Sequence, residues 1–243
     1  MQALTLVPPR LRQMGRRTVN RFGLDITRDP FNHRLVRLCR AARIEAVLDV
    51  GANAGQYARG LRAAGFVGRI VSCEPLAAPY RELARAAGRD PRWETVRTAL
   101  GDRDGTITVN VAGNSYSSSV LTMLPAHLDA APQSQYVGTE KSPVTTVDQI
   151  CGGLGVDPAR SLLKLDVQGY EQVVLDGAAQ VLPRLAAVQV ELSLTPLYDA
   201  QPLMPDMVER LEGSGFHLWA LEPGFSDPRS GRLLQCDGVF LRS

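Results

Sequence analysis

The segment VLDVGANAGQY, residues Val47–Tyr57, decides the fold. Its apolar residues on either side of Asp49 predict a buried strand. Gly51 and Gly55 flank Asn53 in the turn that follows, and a helical pattern begins directly afterwards. A strand, a glycine turn and a helix in this order are typical of the first unit of an open, parallel α/β sheet.

The rest of the chain repeats this alternation of strands and helices. Strand-like runs are RIVSCEP (69–75), SLLKLDV (161–167) and AAVQVELSL (186–194), and helical runs are LAAPYRELARAAG (76–88), YEQVVLDGAAQVL (170–182) and PDMVERLEGSG (205–215). Such alternation predicts a mostly parallel sheet with right-handed crossovers and helices on both faces. The last two runs, FHLWALEP (216–223) and CDGVFLRS (236–243), predict a C-terminal antiparallel hairpin.

Two segments in the middle of the chain depart from this pattern. Asp104 and Gly105 stand between strand-like runs, so we expect a hairpin turn there. Residues 114–142 are rich in Ser, Pro, Gln and Gly and predict a long loop, and loops of this length are often functional. Its stretch GNSYSSSVL offers hydroxyls and an aromatic ring that suit sugar recognition, although a plain surface loop would look the same.

The composition limits the class of protein. The 243 residues are 44% apolar and 21% charged, as in soluble globular proteins, and the net charge of +2 is too small to indicate a nucleic-acid partner. Four scattered cysteines without metal-ligand spacing predict reduced thiols in a cytoplasmic protein. No apolar run approaches the roughly 20 residues that cross a bilayer. We expect one domain, residues 44–243, after an N-terminal helical extension, residues 1–43.

The N-terminal extension carries the one concentrated positive charge. A helix there would place apolar residues on one side and five arginines on the others: Arg10, Arg12, Arg16, Arg17 and Arg21. Such a helix could contact the inner face of the plasma membrane, or could pack on the domain or on a second subunit in a homodimer. A second helix is predicted after Asp29, which is suited to cap it, with Pro30 at its first position.

The glycine turn differs from the dinucleotide fingerprint. That fingerprint, G-x-G-x-x-G, receives a pyrophosphate, whereas here Asn53 takes one glycine position and Tyr57 or Ala58 the third. Asp49 would repel a phosphate and suits a ligand with an ammonium group. Glu74 follows the next strand about 20 residues on, where an acidic side chain takes a ribose diol.

A ribose without a pyrophosphate, joined to a cationic amino-acid tail, describes S-adenosylmethionine. Asp102, after the third strand, is placed to reach the adenine, although a turn residue would look the same. Asp49 and Glu74 could instead be strand-end caps. The candidate cofactor-binding residues are Asp49, Gly51, Asn53, Gly55, Tyr57, Glu74 and Asp102.

Two carboxylates are the candidate catalytic groups. Lys164 and Asp166 alternate with buried leucines, so both side chains share a face, and Asp166 lies where the strand ends. Glu191 lies at the tip of the next strand, and adjacent strands would bring both carboxylates to one crevice. There they could bind a divalent cation such as Mg²⁺, act as a base, or form a purely structural pair. His127 is the rival base, because imidazole titrates near neutral pH.

These motifs together resemble one family. VLDVGANAGQY, EP after the second strand, ALGDRDG, GNSYSSSVL, VTTVD and LLKLDVQGYE follow in order the pattern of FkbM-type methyltransferases. The resemblance implies a class I, Rossmann-like methyltransferase fold, S-adenosylmethionine as cofactor and methylation of a hydroxyl. Gln168 departs from the pattern, since the family often has Glu there, and this bears on the use of metal.

The Arg- and Ala-rich composition and the N-terminal extension are similar to those of mycobacterial members that methylate deoxysugars on cell-wall glycolipids. This similarity implies an acceptor hydroxyl on a sugar such as rhamnose or fucose, carried by a glycolipid or polysaccharide. Two alternatives stay open from the residues alone. An NAD-dependent oxidoreductase would use the same strand, turn and helix, and a non-catalytic scaffold would bind S-adenosylmethionine without needing Asp166 or Glu191.

Overall fold

Two sheets organise residues 29–243, the part of the chain that the computed structural model describes. The strands are β1 (Ala46–Val50), β2 (Arg69–Cys73), β3 (Trp93–Val96), β4 (Ala99–Leu100), β5 (Gly105–Ala112), β6 (Tyr136–Thr145), β7 (Ser161–Leu165), β8 (Ala187–Ser193), β9 (Phe216–Pro223) and β10 (Gln235–Arg242). The helices are α1 (Pro30–Ala41), α2 (Gln56–Ala63), α3 (Ala77–Ala87), α4 (Pro125–Ala130), α5 (Val147–Leu154), α6 (Glu171–Asp176) and α7 (Met204–Gly213). The arginine-rich helix predicted around residues 10–22 lies outside the described residues.

The large sheet has seven strands in the order β3-β2-β1-β7-β8-β10-β9. Five adjacent strands run parallel to one another: β3, β2, β1, β7 and β8. Strand β10 runs antiparallel to its two neighbours, β8 and β9. The predicted parallel sheet and its C-terminal antiparallel hairpin are therefore confirmed. The carboxyl ends of β1, β2, β7 and β8 meet at one edge, where open α/β sheets bind ligands.

Each face of the large sheet carries its own apolar core, as predicted for a sheet with helices on both faces. Leu35 of α1, Leu61 of α2 and Leu83 of α3 pack together on one face. Helices α5, α6 and α7 supply the other core, which includes Leu175 and Leu211. Strand β1 is buried along its whole length because both of its faces are covered.

Asp29 caps α1 as predicted. Its Oδ1 accepts a hydrogen bond from the backbone N–H of Asn32 at 3.0 Å, and Pro30 occupies the first helical position. The helix predicted over residues 170–182 is shorter in the structure, where α6 spans only Glu171–Asp176. Gly177 follows it at a close crossing of two chain segments, where a Cβ atom would lie 1.9 Å from the carbonyl oxygen of Gly101.

The smaller sheet was not predicted, and it corrects two expectations. Its order is β4-β6-β5, with β6 parallel to β4 and antiparallel to β5. Asp104–Gly105 is therefore not a hairpin turn between paired strands; Asp104 instead accepts hydrogen bonds from Thr145 and Gln149. The predicted loop 114–142 ends in β6. The sequence carries no signal for this strand, because only one of its ten residues is buried and apolar residues do not alternate along it.

Within residues 29–243, no helix has both the length and the apolar character needed to span a membrane.

Replacement of Phe240 by Ala is expected to reduce the free energy of unfolding by about 3–5 kcal/mol, because the ring is fully buried where β10 joins the parallel strands. Leu221→Ala on β9 is the control, since its side chain is 43% exposed and should change that free energy by less than about 0.5 kcal/mol. Urea unfolding followed by circular dichroism measures both. Equal losses in the two variants would contradict this account of the core.

Candidate active site

A cavity of about 260 Å³ opens at the carboxyl edge of the large sheet. The ends of β1, β2, β7 and β8 form one wall. The serine-rich loop, the segment GNSYSSSVL (113–121) that follows β5, forms another. The polar lining residues are Asn53, Glu74, Thr98, Ser115, Tyr116, Ser118, Ser119, Asp166, Gln168, Tyr170 and Glu191, and the apolar ones include Val50, Leu76, Leu100, Val109 and Val167. An apolar cavity with convergent polar groups is the usual form of a small-molecule site.

The glycine turn approaches the cavity closely. Gly51 has φ +75°, and a Cβ atom on it would lie 1.9 Å from the carbonyl oxygen of Asp166, so only glycine fits. Asn53 also lines the cavity and donates from Nδ2 to the carbonyl oxygen of Ser115 at 3.3 Å. Gly55 does not line it; its φ of +82° starts α2, and a Cβ there would press on Trp93.

Glu74 stands at the end of β2 with only 5% of its surface exposed. Its two carboxylate oxygens accept backbone hydrogen bonds from Asn53 and Leu76, both at 2.9 Å. Burial raises the pKa of Glu74 to about 7, against the lowering effect of these hydrogen bonds. The carboxylate therefore lies against the glycine turn and lines the cavity, and its contact with a ribose stays a prediction.

Asp49 does not reach the cavity, and its predicted role is corrected. It is fully buried in β1, accepts a hydrogen bond from Ser72 Oγ at 2.9 Å, and lies 3.4 Å from Lys164 Nζ. Burial raises the pKa of Asp49, and the ammonium of Lys164 opposes that effect. The ammonium that Asp49 meets is thus supplied by the chain itself rather than by a ligand.

The predicted pair of carboxylates does meet in one crevice. Asp166 and Glu191 both line the cavity, and the side-chain amide of Gln168 donates to each, at 2.8 Å and 2.9 Å. Glu191 Oε2 also accepts from Gln235 at 2.7 Å. Burial, followed by the neighbouring negative charges of Asp166 and others, raises the pKa of Glu191 well above its ordinary value. Such a carboxylate takes up a proton more readily than an exposed one.

Tyr198 fixes the orientation of the bridging amide. Its hydroxyl donates to Gln168 Oε1 at 2.7 Å, which leaves the amide NH₂ to face the two carboxylates. The backbone carbonyl of Gln168 accepts from Ser119 Oγ at 2.7 Å, and the residue has φ +56°. Glu171 holds the same loop by accepting from the backbone N–H groups of Val167 and Gly169.

This arrangement does not fit a metal ion. The position between Asp166 and Glu191 is taken by the NH₂ group of Gln168, which donates hydrogen bonds and cannot coordinate a cation. Among residues 29–243, no three or more His, Cys, Asp or Glu side chains come together as a metal-binding group. The predicted Mg²⁺ site at these two residues therefore has no structural support.

Two other predicted site residues, Asp102 and Tyr57, also lie outside the cavity lining. Asp102 is exposed and its carboxylate is near Arg103, so the structure does not bring it to the cofactor cavity. The Tyr57 hydroxyl is directed away from the cavity and donates to Gln189 at 2.7 Å. Whether these two side chains reach the cavity depends on the fold, and their spacing along the chain does not predict it.

His127 is buried behind the serine-rich loop. Its Nε2 lies 3.2 Å from Ser117 Oγ, and its ring contacts Tyr198 and Phe225 with centroids 5.2 Å apart. Burial lowers the pKa of His127 to about 4, so the imidazole is a weak base. Its place in this apolar cluster is structural, and the prediction of His127 as the catalytic base is corrected.

Sequence reasoning missed Gln168 and Tyr198 as site residues. Gln168 was visible only as a departure from a family pattern, and Tyr198 gave no signal because it lies in an irregular segment after β8. The serine-rich loop was recognised, and the structure places Ser115 and Ser119 at the cavity.

A family model described as Methyltransferase FkbM domain matches residues 49–218, more than half of the chain. No curated protein sequence matches significantly.

Among solved structures, the chain is similar to an rRNA methylase from Streptococcus thermophilus, with 9% identity and a TM-score of 0.49 over 90% of this chain and 99% of that one. It is also similar to a TehB-like SAM-dependent methyltransferase from Corynebacterium glutamicum, with 12% identity and a TM-score of 0.41 over 96% of each chain. A third is the 1,6-didemethyltoxoflavin-N1-methyltransferase of Burkholderia thailandensis, with 15% identity and a TM-score of 0.40 over 100% of this chain and 93% of that one. Identities this low carry no information on the substrate.

Gly51→Ala is expected to abolish binding of S-adenosylmethionine, because a Cβ atom would collide with the backbone of Asp166 beside the cavity. Gly152→Ala is the matched control, since nothing lies within 4 Å of a Cβ there. Isothermal titration calorimetry measures the affinity of each variant. Undiminished binding by Gly51→Ala would show that the turn does not form the cofactor site.

His127→Gln is expected to weaken the dependence of stability on acid. Because burial lowers the pKa of His127 below the value in the unfolded chain, the unfolded state binds more protons as the pH falls from about 6.5 to about 4. Wild-type protein should therefore lose about 2 kcal/mol more of its free energy of unfolding than the variant between pH 7 and pH 5. Urea unfolding at both pH values tests this, and equal losses would refute a buried neutral imidazole.

Proposed function

The chain belongs to the FkbM methyltransferase family, and on that premise we propose that it transfers a methyl group from S-adenosylmethionine to a hydroxyl of a deoxysugar on a glycolipid or polysaccharide. The observation that supports this most is the pair of carboxylates, Asp166 and Glu191, held side by side at the cavity. A hydroxyl needs a proton acceptor before it becomes a good nucleophile.

The residues of the glycine turn fit the cofactor. Gly51 lets the turn lie against the backbone of Asp166 at the cavity, and Glu74 places a carboxylate at the end of β2. We propose that Glu74 holds the ribose hydroxyls and that Gly51 and Asn53 hold the amino-acid part. S-adenosylmethionine, when bound, supplies an electrophilic methyl group on a sulfonium. The rest of the reaction is alignment of the acceptor oxygen, removal of its proton and exclusion of water.

Glu191 is our candidate for the base. Gln168 and Gln235 both donate to its Oε2, and no donor within residues 29–243 contacts its Oε1. Oε1 is therefore available to accept the proton of the acceptor hydroxyl, and the raised pKa of Glu191 favours that transfer. Asp166 has both oxygens engaged, by Gln168 and by Lys164, so it suits orientation of the hydroxyl rather than removal of its proton.

The serine-rich loop supports a polyhydroxylated acceptor. Ser115, Tyr116 and Ser118 line the cavity, and hydroxyls can donate and accept hydrogen bonds to a sugar. Tyr116 is 61% exposed, so its ring is free to stack on a sugar face at the mouth of the cavity.

Glu191→Gln is expected to lower kcat by about 10²–10⁴-fold with little change in the affinity for S-adenosylmethionine, because only the proton acceptor is lost. In the wild type, the raised pKa of Glu191 predicts that kcat/KM falls on acidification at a pH above the ordinary carboxylate range. Transfer of labelled methyl groups to a panel of rhamnosyl and fucosyl acceptors measures both.

Glu209→Gln on the exposed side of α7 is the matched control and should retain wild-type turnover. A Glu191→Gln variant with normal kcat would exclude this base. Failure of every sugar acceptor, with transfer to another hydroxyl, would retain the methyltransferase and overturn the acceptor class.

A further inference from the structure

One of the two lysines in the chain is buried beside the site. Of 27 basic residues, only Lys141 and Lys164 are lysines; the others are arginines. Lys141 is exposed on β6, whereas Lys164 lies within β7 with 4% of its surface exposed. A lysine at a buried position in such an arginine-rich chain indicates that a compact ammonium is required there, since a guanidinium is planar and larger.

The ammonium of Lys164 joins three parts of the molecule. Its Nζ lies 3.4 Å from Asp49 Oδ1 in β1, 3.2 Å from Asp166 Oδ2 at the cavity, and 3.5 Å from the carbonyl oxygen of Gly51 in the cofactor turn. The contact with Asp49 is an ion pair, and the contacts with Asp166 and Gly51 are hydrogen bonds. Neutralising the buried Asp49 would require only the first of these contacts.

The surroundings keep this group charged. Tyr57 of α2 places its ring 5.2 Å from Nζ, and Asp237 of β10 adds a further negative charge nearby. Burial by itself lowers the pKa of Lys164, but the carboxylates of Asp166, Asp49 and Asp237 outweigh it, and the net effect is a raised pKa. Glu191, the candidate base, is also within reach of this positive charge.

We propose that Lys164 is the positioning residue of methyl transfer: its ammonium holds Asp166 in one orientation and ties that carboxylate to the glycine turn of the cofactor site. This inference rests on the proposed function. Gln168 holds Asp166 Oδ1 and Lys164 holds Oδ2, so the carboxylate keeps one orientation although its side chain is 37% exposed to the cavity. Asp166 would orient the acceptor hydroxyl, and the Lys164 ammonium would fix Asp166 relative to the glycine turn that binds the cofactor.

The test compares Asp49→Asn with the double variant Asp49→Asn/Lys164→Met. Removing Lys164 alone would leave Asp49 buried without a counter-charge and could prevent folding, which the double variant avoids. The single variant keeps the ammonium on Asp166, so it should retain most of the activity. The double variant should fold and bind S-adenosylmethionine, yet lose about 100-fold in kcat, because a misplaced reacting group costs about that factor.

The pH dependence of kcat separates positioning from general loss of stability. The double variant should shift the acid limb of this profile to higher pH, because a positive charge has been removed from beside Asp166 and Glu191. Lys141→Met, on the exposed side of β6, should leave both kcat and the profile unchanged. Equal kcat and equal profiles in the single and double variants would overturn the inference.

Nuclear magnetic resonance observes the contact independently of activity. Lysine labelled with ¹⁵N at Nζ gives two signals, which Lys141→Met assigns. Asp166→Asn is expected to move the Lys164 signal, and Asp176→Asn, which removes the ion pair of α6 with Arg210, should not. An unmoved Lys164 signal in Asp166→Asn would overturn the contact.

Different results overturn the proposed function and the role of Lys164. A wild-type protein that methylates no hydroxyl acceptor overturns the proposed function and this inference with it. Normal wild-type turnover, together with equal turnover in the single and double variants, overturns the inference alone.

Discussion

The buried ammonium of Lys164 is the constraint on which the site depends, because it contacts Asp49, Asp166 and the glycine turn at once. Asp49 has no exposed surface, and a buried carboxylate is costly unless a charge and hydrogen bonds satisfy it. The strand register places Ser72, Asp49, Lys164 and Gln189 side by side across β2, β1, β7 and β8. A buried polar row thus crosses an otherwise apolar sheet directly beneath the cavity and fixes how these four strands align.

The chemistry of the site follows from an excess of carboxylates over cations. Asp49, Asp166, Glu191 and Asp237 surround one ammonium, and burial, followed by the neighbouring negative charges, raises the pKa of Glu191 and of Asp237. The amide of Gln168 holds two of these carboxylates together without adding charge. A carboxylate in such surroundings can accept a proton from an alcohol, which an exposed one does poorly.

Three loops from distant parts of the chain complete the site. Ser117 of the serine-rich loop, Tyr198 after β8 and Phe225 after β9 meet around His127, and Tyr198 in turn orients Gln168. The smaller sheet anchors the start of the serine-rich loop, because the loop directly follows β5. Tyr198 and Phe225 are far in sequence from the β5–β6 connection that carries Ser117 and His127, so their arrangement depends on the whole fold.

The sequence by itself determined the alternation of strands and helices, the glycine turn, and the two strand-end carboxylates. Local apolar periodicity and turn chemistry carry that information, and parallel strands necessarily bring their carboxyl ends to one edge. Only the tertiary structure decided which charges face a ligand and which face each other. Asp49 has the sequence context of a ligand-binding residue, yet its charge is balanced by Lys164, 115 positions away in the chain. Long-range pairing of buried charges depends on strand order and register, and no local pattern specifies either of them.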